Sequence, residues 1–244
     1  MNRRIITATA WRIICQLRHD RRTLAMMFLV PPALIALLKY IFNNTPGTFD
    51  RIGVPLVGIF PLTIMFLVTS IAMLRERTTG TLERLMSMPL AKLDLLLGYG
   101  LAFAVFAAIQ ATITATVAFA LLRLNTQGPI WLVVALAILN ALLGMALGLL
   151  VSAFAQSEFQ AVQFMPAIII PQLLLSGLFV PRNLMPRVLD AISGALPFTY
   201  AFDARKPVAH NDLDSHLWID IAVITGCVHL ALALGAATLR RRTR

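Results

Sequence analysis

The groups in this chain that could do chemistry are few. Six apolar runs hold no Glu, and their only Asp is Asp220, near an end of the last run. His229 is the one ionisable ring placed centrally in such a run. A proton relay through a membrane needs a buried carboxylate or histidine, so His229 and Asp220 are what a relay would use; a lone histidine also commonly just hydrogen-bonds a neighbouring helix. Ser, His and Asp occur without a nucleophile motif. No G-x-x-x-x-G-K-[ST] cradles a phosphate, and no His/Cys/Glu cluster has metal spacing. No catalytic and no metal residues are therefore assigned. If the protein drives anything uphill, the energy enters from outside this chain.

One stretch combines charge, glycine and spaced apolar residues: "RERTTGTLERLMSMP", Arg75–Pro89. A helix beginning at Thr79 or Gly80 places Glu83 in its first turn, facing free N–H groups and the positive helix end. Leu82, Leu85 and Met86 then share one face by i, i+3, i+4 spacing. Pro89 disfavours helix at Met88 and stops the run. The product is a short amphipathic helix, suited either to lying on lipid or to plugging a cleft in a soluble partner.

The elements that must position these groups are membrane spans. Of 244 residues, 59% are hydrophobic and 13% charged, against about 25% charged in soluble domains. Runs of about 20 apolar residues indicate an all-α polytopic membrane protein. Six spans are predicted at residues 23–42, 52–74, 95–122, 130–154, 161–180 and 218–239. Pro31 and Pro32 predict a kink or break in the first; Pro166 and Pro171 interrupt the fifth. Gly144, Gly148 and Ser152 line one face of the fourth, a pattern that lets another helix approach closely without saying which. Gln110, Asn140, Gln172 and Ser176 are neutral polar groups that can line a pathway or join helices. Residues 1–22 alternate isoleucines and Trp11 with arginines, as an interfacial helix would. Cys15 and Cys227 lie in distant segments, so no disulfide is expected.

The net charge is +10, carried mostly by arginine. With no aromatic-basic groove, a lipid surface rather than nucleic acid is the indicated partner. Arginines crowd residues 1–22, the connection after the second span and the C-terminal end. The Lys/Arg bias puts these regions, and both termini, in the cytoplasm. Residues 181–217 then lie outside. Prolines 181, 186 and 197 bound short helices there, with Leu184, Val188, Ile192 and Ala195 on one face; a re-entrant hairpin over 181–200 and an ordinary surface loop both fit.

Two motifs carry a resemblance. "ERTTGTLERLMSMPL" (Glu76–Leu90) resembles the cytoplasmic coupling segment of ABC transporter permeases of the type-2, exporter class, which reads like E-R-E-x-G-T-L-E-x-L-x-x-x-P. Glu76, Arg77, Gly80, Thr81, Leu82, Glu83, Leu85 and Pro89 match; Thr78 departs where that pattern has an acid. "LSGLFVPRNLMPRVLDAISGALPFTYAFDA" (Leu175–Ala204) resembles the element after that class's fifth span, through Ser176, Gly177, Pro181, Pro197, Thr199 and Tyr200. Nearest in flavour are the daunorubicin-resistance-type drug-efflux permeases of bacteria.

The resemblance implies a permease subunit in a bacterial plasma (inner) membrane, with a coupling helix over 76–89 and a re-entrant hairpin over 181–200. It implies pairing with a second permease, identical or related. Two copies of a separate ABC ATPase would hold the ATP and Mg; no cofactor is implied in this chain. Docking residues would be Glu76, Arg77, Gly80, Leu82, Glu83, Leu85 and Met86, with the N-terminal helix beside them. Gln172 and Ser176 would face the substrate pathway. The cargo would be apolar or amphipathic: a drug, antibiotic or lipid. The alternatives are a proton-coupled secondary transporter using His229 and a membrane scaffold that transports nothing.

Overall fold

The computed structural model describes residues 2–45, 47–88, 91–126, 128–204 and 215–238. Pro89 and the arginines at 205, 240, 241, 242 and 244 lie outside them. The described residues form helices joined by turns and short irregular connections, with no strand among them. Helix α1 spans Arg3–His19 and α2 spans Arg21–Ile41. They are followed by α3 (Thr48–Thr78), α4 (Thr81–Ser87), α5 (Lys92–Thr116, continued by a π-helical turn Val117–Leu121) and α6 (Ile130–Val151). Then come α7 (Glu158–Leu175), a 3₁₀ turn (Arg182–Leu184), α8 (Arg187–Ala195), α9 (Pro197–Asp203) and α10 (Ser215–Thr238). Six helices are long and apolar enough to cross a membrane: α2, α3, α5 with its π turn, α6, α7 and α10.

The boundaries differ from expectation at the second and fifth spans, and for physical reasons. Helix α3 runs through 31 residues, well past residue 74, because nothing in Arg75–Thr78 breaks a helix. It ends only at Gly80, whose φ of 73° is left-handed, a conformation that costs any other residue a Cβ clash. A Cβ there would meet nothing within 4 Å, so conformation and not space selects glycine. At the fifth span, Ser157 caps α7 by accepting from the Gln160 amide at 3.2 Å, which fixes its start three residues before the expected one. Helix α2 passes through Pro31 and Pro32 without a break.

Packing is densest between α3 and α6. A methyl built on Gly144 would overlap the Leu62 carbonyl, and one on Gly148 would overlap the Phe66 carbonyl and the Thr69 hydroxyl. The small-residue face of α6 therefore belongs to α3. Between lipid-like surfaces no hydrophobic gain drives helices together, so backbone approach and interhelix hydrogen bonds must do so. Thr69 Oγ1 supplies one such bond, to the Met145 carbonyl at 3.2 Å. Gln110 and Asn140 are wholly buried, and neither amide oxygen nor nitrogen has a protein partner. Large apolar side chains stand exposed on α2, α5, α7 and α10, as lipid-facing surfaces require.

Helix α1 packs along the first half of α5. Gly98 makes this possible, since a Cβ there would lie 2.6 Å from Thr9 Cβ and 3.0 Å from the Ile6 carbonyl. Ala10, Ile13 and Leu17 are buried in the same contact, while Trp11 remains exposed. The Asn2 amide donates to Asp94 Oδ2 at 2.9 Å, tying the first residues of both helices.

Candidate functional site

The ends of α1, α3, α5 and α7, with α4, form one polar region. The short helix α4 follows α3 after a two-residue turn, Thr79–Gly80. The Thr79 amide still bonds the Arg75 carbonyl, while the Gly80 carbonyl already accepts from Arg84, so Gly80 closes one helix and opens the next. Glu83 sits in the first turn of α4 and Arg84 in its last.

The expected docking residues separate here. Glu76 and Arg77 belong to the last turn of α3, not to the short helix. Leu82 and Met86 are 3% and 8% exposed and pack into the chain's own core. Their side chains hold α4 down and are not available to a partner. Leu85 is half-buried against the same core. Glu83, Arg84, Ser87 and Met88 form the outward face.

Glu76 is 4% exposed and forms a closed triangle with two residues of other helices. Arg12 Nη1 lies 3.3 Å from Oε1, and Arg12 Nη2 lies 3.3 Å from Oε2. Arg12 Nη2 donates to the Tyr99 hydroxyl at 2.6 Å, and that hydroxyl donates to Glu76 Oε2 at 2.9 Å. Each acceptor is charged or polarised, so the bonds reinforce one another. Burial works against the charge on Arg12, but its contacts with Tyr99 and Glu76 outweigh that and raise its pKa. Arg77, the next residue, leaves its Nε buried without a partner.

Arg75 points the other way. Its Nε donates to Glu158 Oε1 at 2.6 Å and its Nη2 to Oε2 at 3.1 Å, a two-pronged pairing with the first residue of α7. Its Nη1 lies 3.9 Å from Asp20 Oδ2, at the α1–α2 corner. Asp20 itself caps α2, accepting from the Thr23 amide at 3.2 Å and its hydroxyl at 2.6 Å. These bonds and the Arg75 charge hold its carboxyl below the usual carboxylate range. A cleft of about 490 Å³ opens between these groups, lined by Arg12, Gln16, Arg75, Glu76, three threonines and Glu158.

The opposite end carries a second polar cluster. Pro181 precedes the 3₁₀ turn, and Pro197 is the first residue of α9, where its missing N–H costs nothing. Ser193 Oγ donates to the Leu175 carbonyl at 2.8 Å and lies 3.1 Å from Thr199 Oγ1. Tyr200 donates to the Gly194 carbonyl at 2.6 Å. Arg182 joins Asp190 at 2.9 Å and Asp203 at 3.4 Å. This ties the end of α7, α8 and α9 into one unit. Gln172 is buried, with Nε2 on the Ile168 carbonyl at 3.2 Å and Oε1 without a partner. Ser176 is buried and bonded to the Leu173 carbonyl. Leu184, Val188 and Ile192 face outward. His229 is exposed on α10, with Nδ1 2.8 Å from the Thr225 carbonyl of its own helix.

Reading the sequence missed Arg12, Tyr99, Asp20 and Glu158 as members of the site. Tyr99 carried a signal, a lone phenol near the start of an apolar run. The pairings had none, because they join residues 64 and 83 positions apart.

Residues 4–205 match the family model described as ABC-2 type transporter. ABC transporter G family member 20 of Dictyostelium discoideum is 22% identical over 84% of this chain and 28% of its own length. Two Escherichia coli proteins are also similar. One, named probable multidrug ABC transporter permease YbhR, is 27% identical over 61% of this chain and 40% of its own. The other, named probable multidrug ABC transporter permease YbhS, is 25% identical over 69% and 45% respectively. The chain thus spans less than half the length of these curated relatives. The family match covers the N-terminal helix, the first five spans, α4 and the α8–α9 hairpin, and on that basis the chain belongs to the ABC-2 type transporter family.

Proposed function

We propose that this chain is the membrane-spanning permease subunit of an ATP-driven exporter. The observation that carries the reading is α4: a seven-residue helix braced by Leu82 and Met86 and presenting Glu83, Arg84, Ser87 and Met88 outward. A lipid-lying connector would turn its apolar face outward. Here that face is buried, and the charged face is presented, as docking on a soluble ATPase requires. The Arg-rich α1 lies at the same end, and the Lys/Arg bias supports a cytoplasmic position for α1 and α4. The membrane would be a bacterial inner membrane, with both termini inside.

Two separately encoded ATPase subunits would bind ATP and Mg, and a second permease would complete the pathway. The cargo is an apolar or amphipathic compound, consistent with the multidrug names of the two bacterial relatives and with the scarcity of acidic groups in the apolar runs. The α8–α9 unit would sit over the outer end of α7, with Leu184, Val188 and Ile192 turned to the outer leaflet. Gln172 and Ser176 lie beneath that unit.

The test is affinity purification of the tagged chain from its own membranes in mild detergent. A stoichiometric partner bearing G-x-x-x-x-G-K-[ST] supports the reading. An intact complex without an ATPase, together with proton-driven transport lost in His229→Ala, replaces it with a secondary transporter.

A further inference from the structure

Of the long helices, α7 is among those held least by the rest of the chain. Only 17% of its spanning window is buried, against 61% for α3. It is fastened at its two ends. At the outer end, Ser193 bonds its last carbonyl and Ile169 enters a core shared with α3, α6, α9 and α10. At the inner end, the apolar contact is small: Leu74, Ala155 and Ala161, with Ile71 and Phe164 packed against them. The Arg75–Glu158 pair closes that end, and both side chains are 52% exposed. The cleft opens beside it.

We propose that Arg75–Glu158 is a releasable latch between α3 and α7 at the cytoplasmic end. The inference rests on the exporter reading above and adds the element that α4 would act on. Four features make the pair suitable. Its fork geometry fixes direction, so it holds one closed arrangement. Water reaches both groups, so breaking it costs little. Arg75 is in the last turns of α3, five residues before Gly80, so a displacement passed through the Thr79–Gly80 turn reaches it along one helical segment. Asp20 stands 3.9 Å away as a second acceptor, letting Arg75 remain paired when Glu158 departs. Glu76, by contrast, is locked to Arg12 and Tyr99 and stays with α1 and α5. The last turn of α3 therefore separates a permanent tie from a releasable one at adjacent residues.

The experiment measures the distance between spin labels at Thr78→Cys and Val162→Cys, in the full chain with Cys15→Ser and Cys227→Ser, reconstituted alone in lipid nanodiscs. With the native pair, one short-distance population should dominate. Glu158→Gln, which keeps the shape and removes the charge, should raise the longer-distance fraction about two- to fivefold, the range an exposed ion pair supports. Arg75→Gln should do the same, and molar salt should shift the native pair in that direction. Unchanged distances in both variants would overturn the latch. The measurement needs no ATPase, so failure to find one would defeat the exporter reading while these distances still decide the latch.

Discussion

The hydroxyl of Thr69 bonds the carbonyl of Met145 across the densely packed α3–α6 contact, at 3.2 Å. It can do so only because Gly148, three residues further along α6, leaves room for the Phe66 carbonyl. Gly148→Ala and Gly144→Ala should each lower stability by about 1–3 kcal/mol or more, since the obstruction is backbone and cannot rotate away. Gly226→Ala, where a Cβ meets nothing within 4 Å, should leave stability unchanged or slightly higher. Thermal unfolding in detergent, followed by size-exclusion chromatography, compares the three.

Glu76→Ala should destabilise the chain toward the lower end of the range for breaking a buried ion pair, about 3–5 kcal/mol. The value is moderated because Arg12 keeps 34% of its side chain in water. Glu76→Gln should cost less, as an amide still accepts from Tyr99. If both variants melt together with wild type, the triangle holds nothing.

Asp20→Ala should lose about 1 kcal/mol at neutral pH through the lost cap of α2. The sign of the pH dependence follows from the lowered carboxyl. Its contribution is complete above the unfolded value of about 3.9 and disappears as pH falls through the lower folded value. Wild type and variant should therefore converge only below about pH 4. A gap that persists under stronger acid would point away from the ionised cap.

Gln110→Met removes two buried amide atoms that have no protein partner and keeps the side chain's length. Burying an unpaired amide costs on the order of 1–3 kcal/mol, so this variant should be at least as stable as wild type. A marked loss would show that Gln110 holds a polar group through its amide.

Glu83→Arg reverses a charge on the outward face of α4 without touching the chain's core. It should weaken co-purification of the proposed ATPase partner while membrane insertion stays normal. An unchanged complex would remove Glu83 from the dock.

The six spans were legible because bilayer thickness imposes a minimum apolar length, and composition alone reports it. The small-residue face of α6 was legible as a packing face, but its partner was not, since a pattern on one helix carries no label for the other. Leu82, Leu85 and Met86 were grouped on one side of a short helix by their spacing. Periodicity cannot say whether such a side meets the chain's own core or something else, and here Leu82 and Met86 are buried against the core. Glu76 and Arg77 were assigned to α4 because the boundary depends on Gly80 adopting a left-handed φ. The Arg12 and Glu158 pairings needed three dimensions.

The length of α3 has a mechanical consequence. At 1.5 Å per residue, its 31 residues make a rod about 46 Å long, against about 30 Å of hydrocarbon. Neither Pro55 nor Pro61 interrupts it. The rod begins at Thr48, where Asp50 in the first turn accepts from the Asn125 amide at 3.0 Å, and ends at the turn into α4. A tilt of about 10° at one end swings the other by about 8 Å. A rod of that length would act as a lever, turning a small tilt at one membrane face into a displacement larger than a water molecule at the other.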